Sequence, residues 1–338
     1  MSAGRPQGDS QATAPALVPA FHRGRPGLPG NRGRRRLPAR LLRRLAGPVL
    51  ATLPFLWSAY AVAWGPAAHR AVAAAAEARL CPPARRAIAG LLGQETLAEA
   101  STWPDRIRET PRWRHTRDWH YADVEDDEPI SAAWRGDRGR LLIAIQAQLG
   151  TLRDPAATTS ERAVALRFLA HLLPDLHQPL HVGRPGDAGG NRVTVRLGDR
   201  QMTLHKLWDS GLVGLSGLAW QDLAGVLEAL ISTAELATEG ELSDWAEESR
   251  ALRPFVYSFD ERRRVPVISR AYQVTGQHIA MLRLAQSARR LETALEDIWC
   301  PDTVSQVIPQ VSAVIYGYIG FLEDARRRER RSGVSGAG

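Results

Sequence analysis

From residue 66 onward the apolar residues of this chain recur at helical spacing in stretch after stretch, and only one segment alternates as a strand does. Ala-, Leu- and Arg-rich patterns predict helices over about 66–79, 83–92, 96–109, 138–152, 160–173, 217–236, 241–253, 263–293 and 303–328. The exception is Val193, Val195 and Leu197 alternating with Thr194 and Arg196, with Gly198-Asp199 as a two-residue turn before Gln201 to Leu204. No repeat and no linker interrupts 64–320. The expected architecture is therefore one all-α, mainly helical domain carrying a short β-hairpin near 192–204. A chain of 338 residues is long enough for such a core, and two Cys with 44% hydrophobic residues exclude a disulfide-dense miniprotein and wholesale disorder.

The formal charge of +8 suggests a polyanion or membrane binder, but it is unevenly placed. Residues 1–63 hold ten Arg (5, 23, 25, 32, 34, 35, 36, 40, 43 and 44) against Asp9, so residues 64–338 are close to neutral. A nucleic acid held by the remainder must be gripped by something local. Residues 1–36 are rich in Pro, Gly and Arg without periodicity and are expected to be disordered. An Arg-rich segment and an uncharged run over 45–64 follow, with Ala61-Val62-Ala63 supplying the small-x-small pattern of a signal-peptidase site. Left uncleaved, that run is long enough to span a bilayer, and the Arg cluster could then serve as a nucleic-acid arm. Pro48, Pro54 and the one-sided charge favour cleavage after Ala63, by the general or the twin-arginine route, giving a periplasmic or secreted protein. The expected organisation is a leader over 1–63, a catalytic domain over 64–325 and a disordered tail over 326–338. In an exported protein Cys81 and Cys300 are expected to pair, the alternative being two unrelated buried thiols.

Chemistry concentrates in His and Asp. His171 and Asp175 stand at i,i+4, as do His205 and Asp209, which puts each imidazole and carboxylate on one helical face. His181 follows Pro179, which ends the first of these helices. Trp103-Pro104-Asp105, Asp118-Trp119-His120-Tyr121 and Trp64-Gly65-Pro66-Ala67-Ala68-His69 add further donors. One His/Asp pair is commonly a surface ion pair. Two within 40 residues, with more donors around them, point to a metal. Imidazole and carboxylate without thiolate suit a zinc ion that keeps a position open for water.

These residues, with Arg108, Asp123 and Gly189-Gly190-Asn191, resemble the zinc-dependent single-strand-specific nucleases and 3′-nucleotidases of fungi, plants and bacteria. That family shares its fold with bacterial zinc phospholipase C. The resemblance runs in order over roughly 64–320 and implies three Zn2+ ions. One would be held by Asp105, His120, His171 and Asp175. A second would take the α-amine and carbonyl of Trp64, with His69 and a shared Asp175, and the third His181, His205 and Asp209. It implies hydrolysis of single-stranded DNA and RNA to 5′-mononucleotides, and of 3′-nucleotides, by a zinc-bridging hydroxide attacking phosphorus. Asp105, Arg108 and Asp175 would be catalytic, Arg108 steadying charge on the phosphoryl oxygens. Tyr121, Asp123 and Asn191 would contact the base, the stacked unpaired base giving a single-strand preference. A monomer without a stable protein partner is expected.

Other readings stay open at single positions. Packing accounts for Tyr121, a solvated acidic loop for Asp123 and turn chemistry for Asn191. His177 could support a neighbouring ligand, whereas His115 and His278 read as surface residues. Trp113, Trp134, Trp220, Trp245 and Trp299 read as core. Pro174 is expected to kink the helix between His171 and Asp175. The alternative function keeps the metals and changes the substrate to a phospholipid headgroup. A non-catalytic zinc protein would need closed metal shells, which His181, His205 and Asp209 alone do not supply.

Overall fold

Residues 64–300, apart from 235, 237, 238 and 261, are described by a computed structural model. The leader and signal peptide expected over 1–63, the helix expected over 303–328 and the tail lie outside the described residues. Helix α1 (Pro66–Arg79) starts on a proline, whose missing N–H falls in the first turn where no helical partner exists. Its inward face is Ala68, Ala71, Val72, Ala75 and Ala76, all buried. Such small residues let α9 (Trp220–Thr233) and α12 (Arg270–Trp299) pack close against it. Cys81 caps α2 (Pro82–Leu92) and forms a disulfide with Cys300, the C-cap of α12, so one covalent link joins two helix ends.

The single helix expected over 96–109 is two. Thr96 and Glu99 form a capping box for α3 (Leu97–Ala100), and α4 (Trp103–Ile107) follows after a break at Ser101 and Thr102. Pro104 has no N–H for the Ala100 carbonyl and stands in the first turn of α4, where that N–H would have no helical partner. Helices α5 (Leu141–Arg153) and α6 (Thr159–Leu176) form a tight pair, with Thr158 and Glu161 boxing the start of α6. The last turns of α6 are buried continuously from Phe168 to Leu176. Pro174 sits inside α6 and the helix runs on past it to Leu176.

Strands β1 (Thr194–Leu197) and β2 (Arg200–Thr203) pair antiparallel, with Leu197 opposite Arg200 across Gly198-Asp199. The Thr203 hydroxyl accepts from Lys206 N–H and starts α7 (Leu204–Lys206). This runs without a break through a π-helical turn (Leu207–Gly211) into α8 (Leu212–Gly214). Helices α10 (Leu242–Ala251) and α11 (Arg253–Val256) close the side that carries the Pro179–Val182 turn. Among the described residues no helix is long and apolar enough to cross a membrane.

Candidate metal centre

The buried end of α6 is the floor of the centre. One helical turn puts His171 and Asp175 on the same face, with His171 Nε2 3.3 Å from Asp175 Oδ2, so Pro174 leaves the pair intact. The break between α3 and α4 leaves the Ser101 carbonyl free to accept from His171 Nδ1 at 2.7 Å, which turns Nε2 inward. His181 Nδ1 donates to the His120 carbonyl at 2.6 Å, and His205 Nδ1 to the Gly189 carbonyl at 2.7 Å, with the same result. For that last bond the loop passes through the left-handed region at Ala188, Gly189 and Gly190 in succession. A Cβ on Gly189 would lie 2.5 Å from the Leu180 carbonyl oxygen, so only glycine allows this approach.

Three groups of donor atoms result: His69 with His171 and Asp175, Asp105 with His120 and His171, and His181 with His205 and Asp209, each within 4.8 Å. Asp175 faces two ways. Its Oδ2 is 3.1 Å from His120 Nδ1, and its Oδ1 is 3.3 Å from His69 Nε2. His205 Nε2 stands 3.3 Å from Asp209 Oδ2, and His181 Nε2 3.6 Å from Asp209 Oδ1. Metal–ligand bonds of about 2.0–2.1 Å separate neighbouring donors of a tetrahedral shell by roughly 3.3 Å, so these spacings fit such a shell. Burial makes the same point. Three inward atoms, His69 Nε2, Asp175 Oδ1 and His181 Nε2, are buried without a hydrogen-bond partner. Orphaned buried polar atoms are costly unless a cation satisfies them.

Without a metal, protons carry that role. Burial lowers an imidazole, yet the charges of Asp175 and Asp209 outweigh it at His181 and hold it up at about 9. Burial works against the Asp175 carboxylate too, but the surrounding imidazoles hold it well below its ordinary value. His69, His120 and His205 are lowered, chiefly by burial.

His120, His181 and His205 reach the wall of a cleft of about 520 Å3, which Arg108, Tyr121, Asp123 and Asn191 also line. Arg108 is 8% exposed, with Nη1 3.1 Å from Asp105 Oδ1. Tyr121 is 38% exposed and lines the same cleft. Burial pushes the Asp123 carboxyl up to about 6, and its Oδ1 has no partner. Asn191 Nδ2 donates to the Ala188 carbonyl at 2.9 Å, as turn chemistry requires, while the residue still borders the cleft. Trp64 is buried, its indole N–H donating to the Pro174 carbonyl at 3.0 Å. Gly65 N–H donates to the Asp209 carbonyl at 2.8 Å, so the start of the domain is docked between α6 and the π turn.

Several supporting residues escaped the sequence reading. Gln178 Nε2 donates to Asp209 Oδ1 at 2.6 Å while its Oε1 accepts from Leu180 N–H, which fixes the amide's orientation. Arg253 is buried and donates to the carbonyls of Val124, Val182 and Gly183, clamping the turn that carries His181 to the strand of chain at Asp123. His177 supports no ligand. Its Nδ1 donates to the Leu173 carbonyl and its Nε2 accepts from Arg290 Nη1. Arg290 and Arg283 both reach Glu248. The available signal was Arg283 and Arg290 at i,i+7 on one stripe of α12, where a charge among apolar neighbours has to be paired.

Comparison with known proteins gives a consistent picture. A sequence profile described as S1/P1 Nuclease matches residues 64–299. Endonuclease 3 of Arabidopsis thaliana is 31% identical over 163 residues, covering 45% of this chain and 55% of that protein. Nuclease S1 of Aspergillus oryzae is 30% identical over 157 residues, 44% of this chain and 54% of its own length. Nuclease P1 of Penicillium citrinum is 29% identical over 182 residues, 51% and 67% respectively. The chain thus spans little more than half the length of the first two of these relatives.

Proposed function

Because the chain belongs to the S1/P1 nuclease family, we propose that it is an exported, zinc-dependent phosphodiesterase acting on single-stranded DNA and RNA, with 3′-nucleotidase activity. The observation that carries this reading is the set of orphaned donor atoms converging beside a cleft in groups spaced for metal ions. Asp105, His120, His171 and Asp175 would hold one ion. His69 and Asp175, with the amine and carbonyl of Trp64, would hold a second, and His181, His205 and Asp209 a third. Zinc in such sites supplies Lewis acidity toward phosphoryl oxygen and a water acidified to near neutral pH.

The rest is the work of the chain's own side chains. Arg108 presents its guanidinium to the cleft wall, where it can donate to the oxygens of a phosphodiester as their charge grows. Asp175, buried and shared between two groups, holds their donors at fixed separation. Tyr121 offers an exposed ring on which an unpaired base stacks, and Asp123 and Asn191 offer polar atoms to its edge. A duplex cannot present a base in that way. The Cys81–Cys300 disulfide supports an oxidising, extracytoplasmic setting.

Single-stranded DNA incubated with the protein, with and without chelator, and followed by chromatography, tests the reading. Chelator-sensitive release of 5′-mononucleotides is expected. Intact DNA from zinc-loaded protein would overturn it. The Trp64 ligand carries its own expectation: a chain retaining residues before Trp64 should bind one zinc fewer by elemental analysis and lose most activity. Full zinc content in the extended chain would remove Trp64 from the centre.

A further inference from the structure

The cleft wall that begins at Arg108 and Glu109 and returns at Arg117, His120 and Tyr121 is one continuous piece of chain. Residues 106–117 contain five Arg (106, 108, 112, 114 and 117) against one acid, Glu109, whereas residues 64–338 taken together are close to neutral. Arg117 pairs with Glu109 at the rim. Arg112 and Arg114 are exposed, and among the described residues neither is ion-paired to a carboxylate; Arg112 lies over the Trp113 ring, 5.4 Å from its centroid. Nothing in the packing of the domain needs two uncompensated guanidiniums there.

Aromatic rings lie between them. Trp113, expected in the core, packs against its edge: it meets Trp103 edge-on at 5.1 Å and Phe168 at 5.7 Å. Half-buried, it carries exposed His115 at 6.1 Å, with the two rings near parallel, and His115 in turn lies 5.6 Å from Trp119. The segment is held in place by Trp113 N–H donating to the Thr110 carbonyl and Thr116 N–H to the Trp113 carbonyl. At roughly 3.5 Å per residue, no residue between Glu109 and Arg117 can lie more than about 14 Å from a residue lining the cleft. Arg138, which also lines the cleft, is by contrast paired with Glu125 and Glu128, beside Asp137.

We propose that Arg112, Trp113, Arg114 and His115, continued by Arg117, form an outer subsite for single-stranded nucleic acid, holding nucleotides of the same strand beyond those at the metal centre. Guanidiniums take the phosphates, while indole and imidazole faces take the bases, the combination by which single strands are held without sequence preference. This rests on the nuclease reading and extends it: the subsite gives the enzyme a preference for polymer over dinucleotide.

The test compares wild type with the Arg112→Gln/Arg114→Gln variant, whose exposed changes leave the core and the centre untouched. KM is measured for a 20-nucleotide oligothymidylate and for the dinucleotide TpT at several salt concentrations. For the 20-mer, KM should rise about five- to tenfold at low salt, with a log–log salt dependence shallower by about 1.4. The kcat and the TpT constants should stay unchanged. Equal KM values for the 20-mer, or a parallel change with TpT, would overturn the subsite. Loss of binding to phosphatidylglycerol vesicles with the 20-mer KM unchanged would overturn it in favour of a membrane surface. Should wild type cut neither substrate, the nuclease reading falls and the uncut, fluorescein-labelled 20-mer is used in anisotropy. Weaker binding by the variant then sustains the subsite, and equal binding overturns it.

Discussion

At the scale of single residues, the centre depends on side chains that orient other side chains. Gln178 is the clearest of them. With its Oε1 occupied by Leu180 N–H, its amide has only donors left for Asp209, so Asp209 Oδ2 is turned toward His205. Replacing Gln178 with Leu should leave the fold intact and weaken zinc binding at the proposed His181, His205 and Asp209 site by roughly 10- to 100-fold, the usual loss when such a partner is removed. Chelator competition with elemental analysis reads this directly, and unchanged retention of all metal would refute it. The sequence made the ligand types legible because His and Asp at i,i+4 must share a face. It could not reveal Gln178, since a Gln before a Pro carries no periodic signal.

Two elements are shaped by what they have to carry. The π turn gives the chain an extra residue between α7 and α8, with His205 in α7 just before it and Asp209 at its centre. Helix α6 ends against α12 through a buried charged layer. Burial alone would raise Glu248, but the Arg290 and Arg283 guanidiniums bring its carboxyl below the ordinary range. Burial, together with those same two cations, holds His177 well below the imidazole value. His177 therefore stays neutral in the folded protein while the unfolded chain takes up a proton below pH about 6.5. Stability from this residue is complete above that pH and falls by up to about 1.4 kcal/mol per unit below it. Thermal melts at pH 7 and pH 5 should show a smaller loss in His177→Gln than in wild type, and equal losses would count against this account. The α2–α12 disulfide closes a loop of 219 residues. Cys81→Ser/Cys300→Ser should cost about 3–5 kcal/mol by denaturant unfolding, the upper part of the usual range, because the loop is long.

For the whole molecule, the proposed metal centre and the fold would be coupled. His181, at about 9 without metal, is protonated at pH 7.5 and must give up that proton to become a ligand. Zinc titration of the metal-free protein at pH 7.5 should release protons, seen as a heat that depends on the ionisation enthalpy of the buffer. Buffer-independent heats would contradict it. The sign for stability runs the other way from His177. A raised imidazole stabilises the metal-free fold fully below pH about 6.5, and that contribution is lost as pH rises through about 9. Metal-free protein should therefore melt lower at pH 9.5 than at pH 7, and His181→Asn should flatten the difference.

The all-α class, the hairpin with its two-residue turn and the pairing faces of His171 with Asp175 and of His205 with Asp209 follow from the sequence alone. Each is a local consequence of a 3.6- or 2-residue period, or of turn chemistry at Gly198. Tertiary structure decided which carbonyl of the broken 96–109 segment turns His171 inward. It also decided that Asp175 faces two groups at once, that Arg253 and the Arg283–Arg290 pair are buried, and that Trp113 lies between the core and an arginine-lined rim. The reason is physical: these are contacts between residues as far as 129 positions apart, whose strength comes from burial and opposed charge, and no period in the chain encodes either.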